Sequence, residues 1–156
     1  MLIETLVTFL TRLSLVLLFL PFSALDKVLN FSAAVDQAKG AASSTAAARG
    51  LILVGLFVEV VMSLGVLTGV ADRLAAFILA GYCVVTALLF KPFWRAPNFR
   101  LRGPSTGRET MWDFLKNFAV AGGFLVIAFG TQAGGLASFL ADPLSSTHPY
   151  AAPSQP

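Results

Sequence analysis

Charged residues are scarce in this sequence. They make up 12% of its 156 residues, whereas 56% of the residues are hydrophobic. Soluble domains have about twice that share of charge, so the composition excludes a disordered chain and argues against a soluble domain. At about 20 apolar residues a span, the chain has room for about four membrane-spanning helices and for no second large domain.

Cysteine and histidine are almost absent as well. The single cysteine, Cys83, excludes an internal disulfide and a CxxC redox centre. The single histidine, His148, leaves no histidine pair to hold a haem, and no region offers enough ligands for zinc. Phosphate-binding, dinucleotide-binding and hydrolase motifs are missing too. We therefore expect no metal site, no covalently bound cofactor and no catalytic residue, and thus no catalyst acting alone.

Four apolar runs predict an all-α membrane protein, a bundle of four transmembrane helices. Pro21 should bend the first of these helices. Residues 1–130 would form one membrane domain, and the Gly- and Pro-rich residues 131–156 are predicted to be a flexible tail. The predicted spans are residues 4–25, 51–67, 74–90 and 114–130.

A short amphipathic segment follows the first predicted span. Phe31, Val35 and Ala38 recur at i, i+4 and i+7, and Gly40 suits the position just after a helix. This pattern predicts a short interfacial helix that lies on the membrane surface.

Basic residues are concentrated in the loops after spans one and three. The opposite side has Arg73 in its turn and no Lys or Arg in the C-terminal tail. The positive-inside rule then predicts that the basic loops are cytoplasmic and that both termini lie outside. Trp94 and Trp112 flank the second basic loop, as interface anchors do. This loop would contact anionic lipid or an acidic partner, and it lacks the interleaved aromatics that suggest nucleic acid.

Two charges fall inside the predicted spans, Arg12 in the first and Glu59 in the second. Each charge costs about 2.5–3.5 kcal/mol on insertion and therefore marks a candidate functional site. Because these spans are antiparallel, both charges should lie about 12 Å below the same surface. An Arg12–Glu59 ion pair is the simplest arrangement. Gly55 and Ser63 share a face with Glu59, and that face should turn into the bundle.

The same depth places Tyr82 and a gap at Gly122-Gly123 beside Arg12 and Glu59. A carboxylate, a guanidinium and a phenol beside such a gap could hold a polar head group, for example that of a quinone. The alternative is a buried pair that only fixes the register of the helices.

A second polar cluster is predicted at the interface. Asp26 and Lys27 end the first helix, and Asp113, Lys116 and Asn117 share a face at the start of the fourth. Cross-pairing of Asp26 with Lys116, or of Lys27 with Asp113, would join the two helices. The alternative is that these side chains each extend to the membrane surface.

Four segments, in order, resemble the DoxX family of small bacterial inner-membrane proteins. The resemblance spans residues 12–130, and its segments are RLSLVLLFLPFSALDKVLNF, GLFVEVVMSLGVLTGVADRLAAFILAGYCVVTALLF, KPFW and FLKNFAVAGGFLVIAFG. Glu59 followed by Gly-x-Leu-x-Gly, here residues 65–69, is typical of the family, as is Lys-Asn followed by Gly-Gly. Members often have a histidine where this chain has Lys91.

The resemblance implies a four-helix bundle in the bacterial inner membrane and a link to respiratory or redox complexes. The family is named for a subunit associated with a terminal quinol oxidase and with thiosulfate:quinone oxidoreductase. We therefore expect a non-catalytic subunit of a quinone-linked complex, which could hold a quinone or quinol near Arg12 and Glu59. Its partners would be the lipid bilayer and a redox enzyme or a second copy, and not nucleic acid. The alternatives are a structural or assembly subunit without a ligand, and a small-molecule permease.

Overall fold

The computed structural model describes residues 2–151, and the regular secondary structure in this part of the chain is all helical. The elements are α1 (Leu2–Val16), a π-helical turn (Leu18–Ser23), α2 (Ala24–Leu29), α3 (Phe31–Ala38), α4 (Thr45–Thr68), α5 (Asp72–Phe90), a 3-10 turn (Phe93–Arg95), α6 (Thr106–Phe129) and α7 (Gly135–Ala141). Four stretches are long and apolar enough to cross a membrane: Leu2–Leu29, Thr45–Thr68, Asp72–Arg95 and Thr106–Phe129. The prediction of an all-α, four-span bundle is therefore confirmed.

The second and fourth spans begin earlier than predicted because serine caps extend them. The Ser44 side chain accepts a hydrogen bond from the Ala47 N–H (3.1 Å), and α4 begins at Thr45. The Ser105 side chain accepts one from the Arg108 N–H (3.3 Å), and α6 begins at Thr106. Such caps satisfy N–H groups that the first turn leaves free, so a polar first turn remains helical. Hydropathy alone assigns these turns to loops.

The first span is bent at Pro21, as predicted. Leu20 has φ −120° and ψ 112°, outside the helical region, and it directly precedes Pro21. Proline disfavours the helical conformation of the residue before it, which accounts for the position of the bend. The bend turns Ser23 and Lys27 towards α4, where both contact Glu59.

The short helix expected after the first span is α3, and it ends at Ala38, two residues before Gly40. Its apolar face packs on the first half of α4. Val35 and Ala38 are buried against Ala48 and Ile52. The amphipathic pattern thus reflects contact with a neighbouring helix inside the protein.

The main core lies between α4, α5 and α6. Val66, Leu79 and Phe124 contribute fully buried side chains from these three helices. Phe19 joins them from the bent first span, with its ring centroid 5.9 Å from Phe124 and 6.1 Å from Tyr82. The bend therefore also brings the first span into the core.

Residues 131–151 contact the bundle, although the sequence predicts a flexible tail from residue 131. Phe139 of α7 packs on Phe77 and Phe129, with centroids 5.1 and 5.3 Å apart. The Tyr150 hydroxyl donates a hydrogen bond to the Leu67 carbonyl. The aromatic side chains of this segment thus find partners on the bundle despite its Gly- and Pro-rich composition, and its flexibility stays a prediction. Residues 152–156 lie outside the described residues.

Gly65 sets the close approach of α4 and α5. A β-carbon at this position would lie 2.9 Å from the Ala75 β-carbon and 3.2 Å from the Val70 carbonyl oxygen. We expect Gly65→Ala to destabilise the protein by about 1–3 kcal/mol, because one helix must shift. The measurement is the midpoint of thermal unfolding of the purified protein in detergent.

Gly81→Ala is the matched control, since a β-carbon at Gly81 meets no atom within 4 Å. Alanine is the better helix former, so this midpoint should stay the same or rise. Equal midpoints for the two variants would show that α4 and α5 do not pack closely at Gly65.

Candidate functional site

The carboxylate of Glu59 is the centre of the candidate site. It lies in the middle of α4, and the residue is 1% exposed. Its Oε1 accepts hydrogen bonds from Lys27 Nζ (2.7 Å), the Tyr82 hydroxyl (2.8 Å) and the Ser23 hydroxyl (3.0 Å). Lys27 also donates to Ser23 Oγ at 2.6 Å. Three donors from the first span and α5 thus meet at one carboxylate oxygen.

Local sequence explains how these groups come together. Ser23 and Lys27 are four residues apart and lie on one face of the helix that follows the bend. On α4, Gly55 lies one turn before Glu59 and leaves room for the Tyr82 ring, because a β-carbon there would be 3.0 Å from the hydroxyl oxygen. Gly55, Glu59 and Ser63 are all buried, so the predicted inward face of the second span is confirmed.

The other carboxylate oxygen, Glu59 Oε2, has no hydrogen-bond partner. Within residues 2–151, it and Ser63 Oγ are the two buried side-chain polar atoms without one. An unsatisfied buried polar atom costs about 1–3 kcal/mol, and more for a charged group. Such an atom in a folded protein requires an explanation, for example an unseen hydrogen-bonding partner.

A cavity of about 660 Å³ lies beside this cluster, between the end of the first span, α3, α4 and α5. Glu59, Lys27 and Tyr82 form part of its lining, and most of the remaining wall is apolar. Asp26 and Lys91 also line it, which places the two basic loops at the same end of the bundle. Its size falls within the range of about 300–1,000 Å³ that is usual for small-molecule sites.

Arg12 does not pair with Glu59, which corrects the predicted ion pair. Its Nη1 lies 2.7 Å from Asp72 Oδ2 and donates to the Val66 carbonyl at 2.6 Å, and its Nη2 donates to Thr147 Oγ1 at 2.6 Å. Counting depth from the ends of the spans assumes that those ends lie level. In the structure α1 extends past the α4–α5 turn, so Arg12 lies beside Val66, away from the cavity.

Asp72 is the partner that sequence reasoning missed. As the first residue after a turn, it has the sequence position of a helix N-cap. The structure instead places Ala71 at the N-cap and buries Asp72 completely. Its Oδ1 accepts a hydrogen bond from the Thr147 N–H at 2.9 Å. The only sequence signal is the need for an acid to balance Arg12, and that signal does not distinguish Asp72 from Glu59.

The Gly122-Gly123 pair does not border the Glu59 cavity. Gly123 makes room for α1, because a β-carbon there would lie 2.8 Å from Leu15 Cδ2. A β-carbon at Gly122 meets no atom within 4 Å. The predicted gap is therefore a packing contact between α1 and α6, while Tyr82 is the one predicted neighbour that touches Glu59.

The residues that were predicted to form one interfacial cluster make other contacts in the structure. Asp113 Oδ2 lies 3.2 Å from Lys91 Nζ, and Asp113 Oδ1 lies 3.3 Å from Lys116 Nζ. Lys116 therefore pairs within α6, and the expected Asp26–Lys116 contact is not formed. These side chains are largely exposed, so each pair contributes about 0–1 kcal/mol.

Lys27 leaves the interfacial cluster and turns into the bundle. Because it pairs with Glu59, the predicted Lys27–Asp113 contact is not formed either. Asp26 accepts a hydrogen bond from Asn30 Nδ2 at 2.8 Å, and it lines the cavity together with Asn117. Three of the residues predicted at the interface, Asp26, Lys27 and Asn117, thus line the cavity. Within the described chain, no three His, Cys, Asp or Glu side chains come together as a metal site.

The fold defines a four-span helical membrane protein with a buried polar cluster beside a cavity. A model of the DoxX family matches residues 7–92, which is more than half of the chain. The chain therefore belongs to the DoxX family. The match includes Lys27, Glu59 and Tyr82 and ends before α6. No curated protein and no solved structure matches the chain.

A double-mutant cycle can test whether Arg12 pairs with Asp72, as in the structure, and not with Glu59, as the sequence predicts. Arg12→Leu and Asp72→Leu should each cost about 3–5 kcal/mol, because each leaves a buried charge unpaired, and the double variant should cost less than their sum. The free energy of unfolding in mixed detergent micelles measures this. Arg12→Leu combined with Glu59→Gln is the control and should be additive. Coupling of Arg12 to Glu59, with none to Asp72, would contradict the pairing.

Proposed function

We propose that this protein is a membrane subunit associated with a redox or respiratory complex and that its cavity holds the head group of a quinone or quinol beside Glu59. One observation carries the proposal. Glu59 lines a cavity, one of its oxygens accepts hydrogen bonds from Lys27, Tyr82 and Ser23, and its second oxygen is buried without a partner. A ligand with a polar end and an apolar body suits such a site.

A quinone has the chemistry that the lining requires. Its ring and tail are apolar and suit the apolar wall, while its ring oxygens form hydrogen bonds. Lys27 can donate to a ring oxygen, because its ammonium has three hydrogens and makes two bonds in the structure. A bound quinone would supply electron transfer. The protein's own part would be to bind and orient the ring and to exclude water from it.

A partner completes the proposed function. The sequence has no flavin or metal motif, so electrons would pass between the ligand and a partner oxidoreductase, as the DoxX resemblance implies. We place the protein in the bacterial inner membrane with its basic loops in the cytoplasm and both termini outside. The cavity then lies towards the cytoplasmic end. The partner could be a redox enzyme or an oligomer of this chain bound to one.

A structural or assembly subunit is the second candidate. It is favoured by the Lys27–Glu59 ion pair, which by itself joins the bent first span to α4. In that case the ion pair would fix the register of the first span against α4, and any lipid chain could occupy the cavity.

The test begins with affinity purification from the native membrane in mild detergent, followed by mass spectrometry and extraction of bound quinone. We expect a stoichiometric oxidoreductase and bound quinone. Glu59→Gln should lower the bound quinone about tenfold or more, because it removes the counter-charge that holds Lys27, whose charged hydrogen bond to a ring oxygen would contribute about 1.5–3 kcal/mol. Asp113→Asn is the control: it changes a carboxylate outside the cavity and should leave the bound quinone unchanged.

Two results would count against the proposal. The first is a folded Glu59→Gln protein that keeps its quinone but unfolds at lower temperature, as expected of a structural subunit. The second is purification as a homo-oligomer with neither quinone nor enzyme. If Glu59→Gln does not fold, Tyr82→Phe replaces it in the same measurement of bound quinone. This variant removes one hydroxyl at the cavity and keeps the Lys27–Glu59 ion pair.

A further inference from the structure

We propose that the cavity beside Glu59 opens sideways into the bilayer, between α4 and α5, and takes a quinone whose long apolar tail stays in the lipid. This inference rests on the proposed function and deepens it, because it adds the tail of the ligand and the route by which the ligand reaches the site. It comes from the exposure of the residues that line the cavity.

The cavity has a buried inner wall and an exposed apolar edge. Glu59 and Phe19 belong to the inner wall and are 1% and 5% exposed. Other apolar residues of the lining are about half exposed, which marks the place where the cavity reaches the protein surface. Among them are Leu51 (46%), Val54 (62%), Val85 (52%) and Leu89 (49%). We call these four residues the lateral opening.

The lateral opening lies within two membrane spans, Thr45–Thr68 and Asp72–Arg95. Val54 and Leu51 precede Glu59 on α4 by five and eight residues. At 1.5 Å per residue, the opening therefore extends about 7–12 Å from the level of Glu59 along α4. Apolar side chains that are exposed at this depth of a span face lipid chains, so the opening faces the bilayer.

The packing of α4 on α5 explains where the opening begins. The two helices approach closely at Gly65, and the Tyr82 ring covers Gly55 one contact further along. The lateral opening starts directly beyond this second contact, since Val54 precedes Gly55 and Val85 follows Tyr82 by about one turn. Tyr82 thus separates the closely packed part of the α4–α5 interface from the open part.

The remaining edge of the cavity is polar and offers a different route. Asp26, Asn30 and Gln37 line the cavity from the end of the first span and from α3, and all three are exposed. An apolar tail that crossed this polar edge would have to come from water. Each CH₂ group in water costs about 0.8 kcal/mol, so a long-tailed molecule resides in the bilayer and enters from there.

The size of the cavity is consistent with a tail that extends out of it. About 660 Å³ suits the ring and the first part of a tail, as for a drug-sized ligand. The rest of a long tail would pass through the lateral opening and remain among the lipid chains. The ligand class is therefore a membrane-dissolved amphiphile, with its polar ring beside Lys27 and its tail in the bilayer.

Photocrosslinking of the full-length protein in lipid nanodiscs tests this route. The probe is a benzoquinone with a decyl tail that carries a diazirine near its ring end, and mass spectrometry locates the side chains that it labels. We expect labelling at the lateral opening, and an excess of the same quinone without the diazirine should abolish it. A benzoquinone without a tail should compete about tenfold or more less well, as the loss of two buried CH₂ groups predicts.

Tryptophan variants test whether the opening is the entrance. Val54→Trp and Leu89→Trp place an indole in the opening and should lower the competed labelling about tenfold or more. Leu53→Trp and Leu88→Trp are the matched controls. They alter the adjacent residues, which are 56% and 48% exposed and do not line the cavity, and they should leave the labelling unchanged.

The outcomes separate this inference from the proposed function. Competed labelling on α3 around Asn30 and Gln37 would show that the tail leaves through the polar edge, and equal competition by the tail-less quinone would show that the tail contributes nothing. Either result would overturn the lateral route and leave a quinone site at Glu59. Absence of any competed labelling would overturn both.

Discussion

The burial of Glu59 is the constraint on which much of this structure depends. A carboxylate in an apolar interior is tolerated only with a counter-charge and hydrogen bonds. Lys27 supplies the charge, and it reaches Glu59 because Pro21 bends the first span towards α4. Gly55 gives space to Tyr82, which adds a hydrogen bond. The bend at Pro21, the space left by Gly55 and the Tyr82 hydroxyl thus all help to stabilise the buried carboxylate of Glu59.

The two buried ion pairs of the bundle differ in one informative respect. Arg12 and Asp72 are enclosed by Val66 and Thr147, and none of their buried side-chain polar atoms lacks a partner. The Lys27–Glu59 pair has an unpaired oxygen and borders a cavity. The first arrangement is complete and fixes helix ends and the C-terminal segment. The second has unused hydrogen-bonding capacity, which is a property of binding sites.

Periodicity and hydropathy predict the features that depend on one helix at a time. These are the four spans, the short helix α3, the bend at Pro21 and the inward face of α4. Features that depend on how helices are placed against each other are not predictable in this way. The bend and the extension of α1 past the α4–α5 turn change the partners of Arg12 and Lys27. The hydrogen bond from Arg12 to Thr147 joins residues far apart in the sequence, and no local sequence pattern predicts it.

A purely structural role for Glu59 explains less of this arrangement than a ligand does. An apolar pair of similar volume would fix two helices as well as a buried ion pair, often with greater stability. Such a pair would not require a cavity of about 660 Å³ beside it. The cavity and the unpaired oxygen occur together at Glu59 and not at Asp72. The ligand proposed above, with a polar end and an apolar body, would account for the cavity beside Glu59.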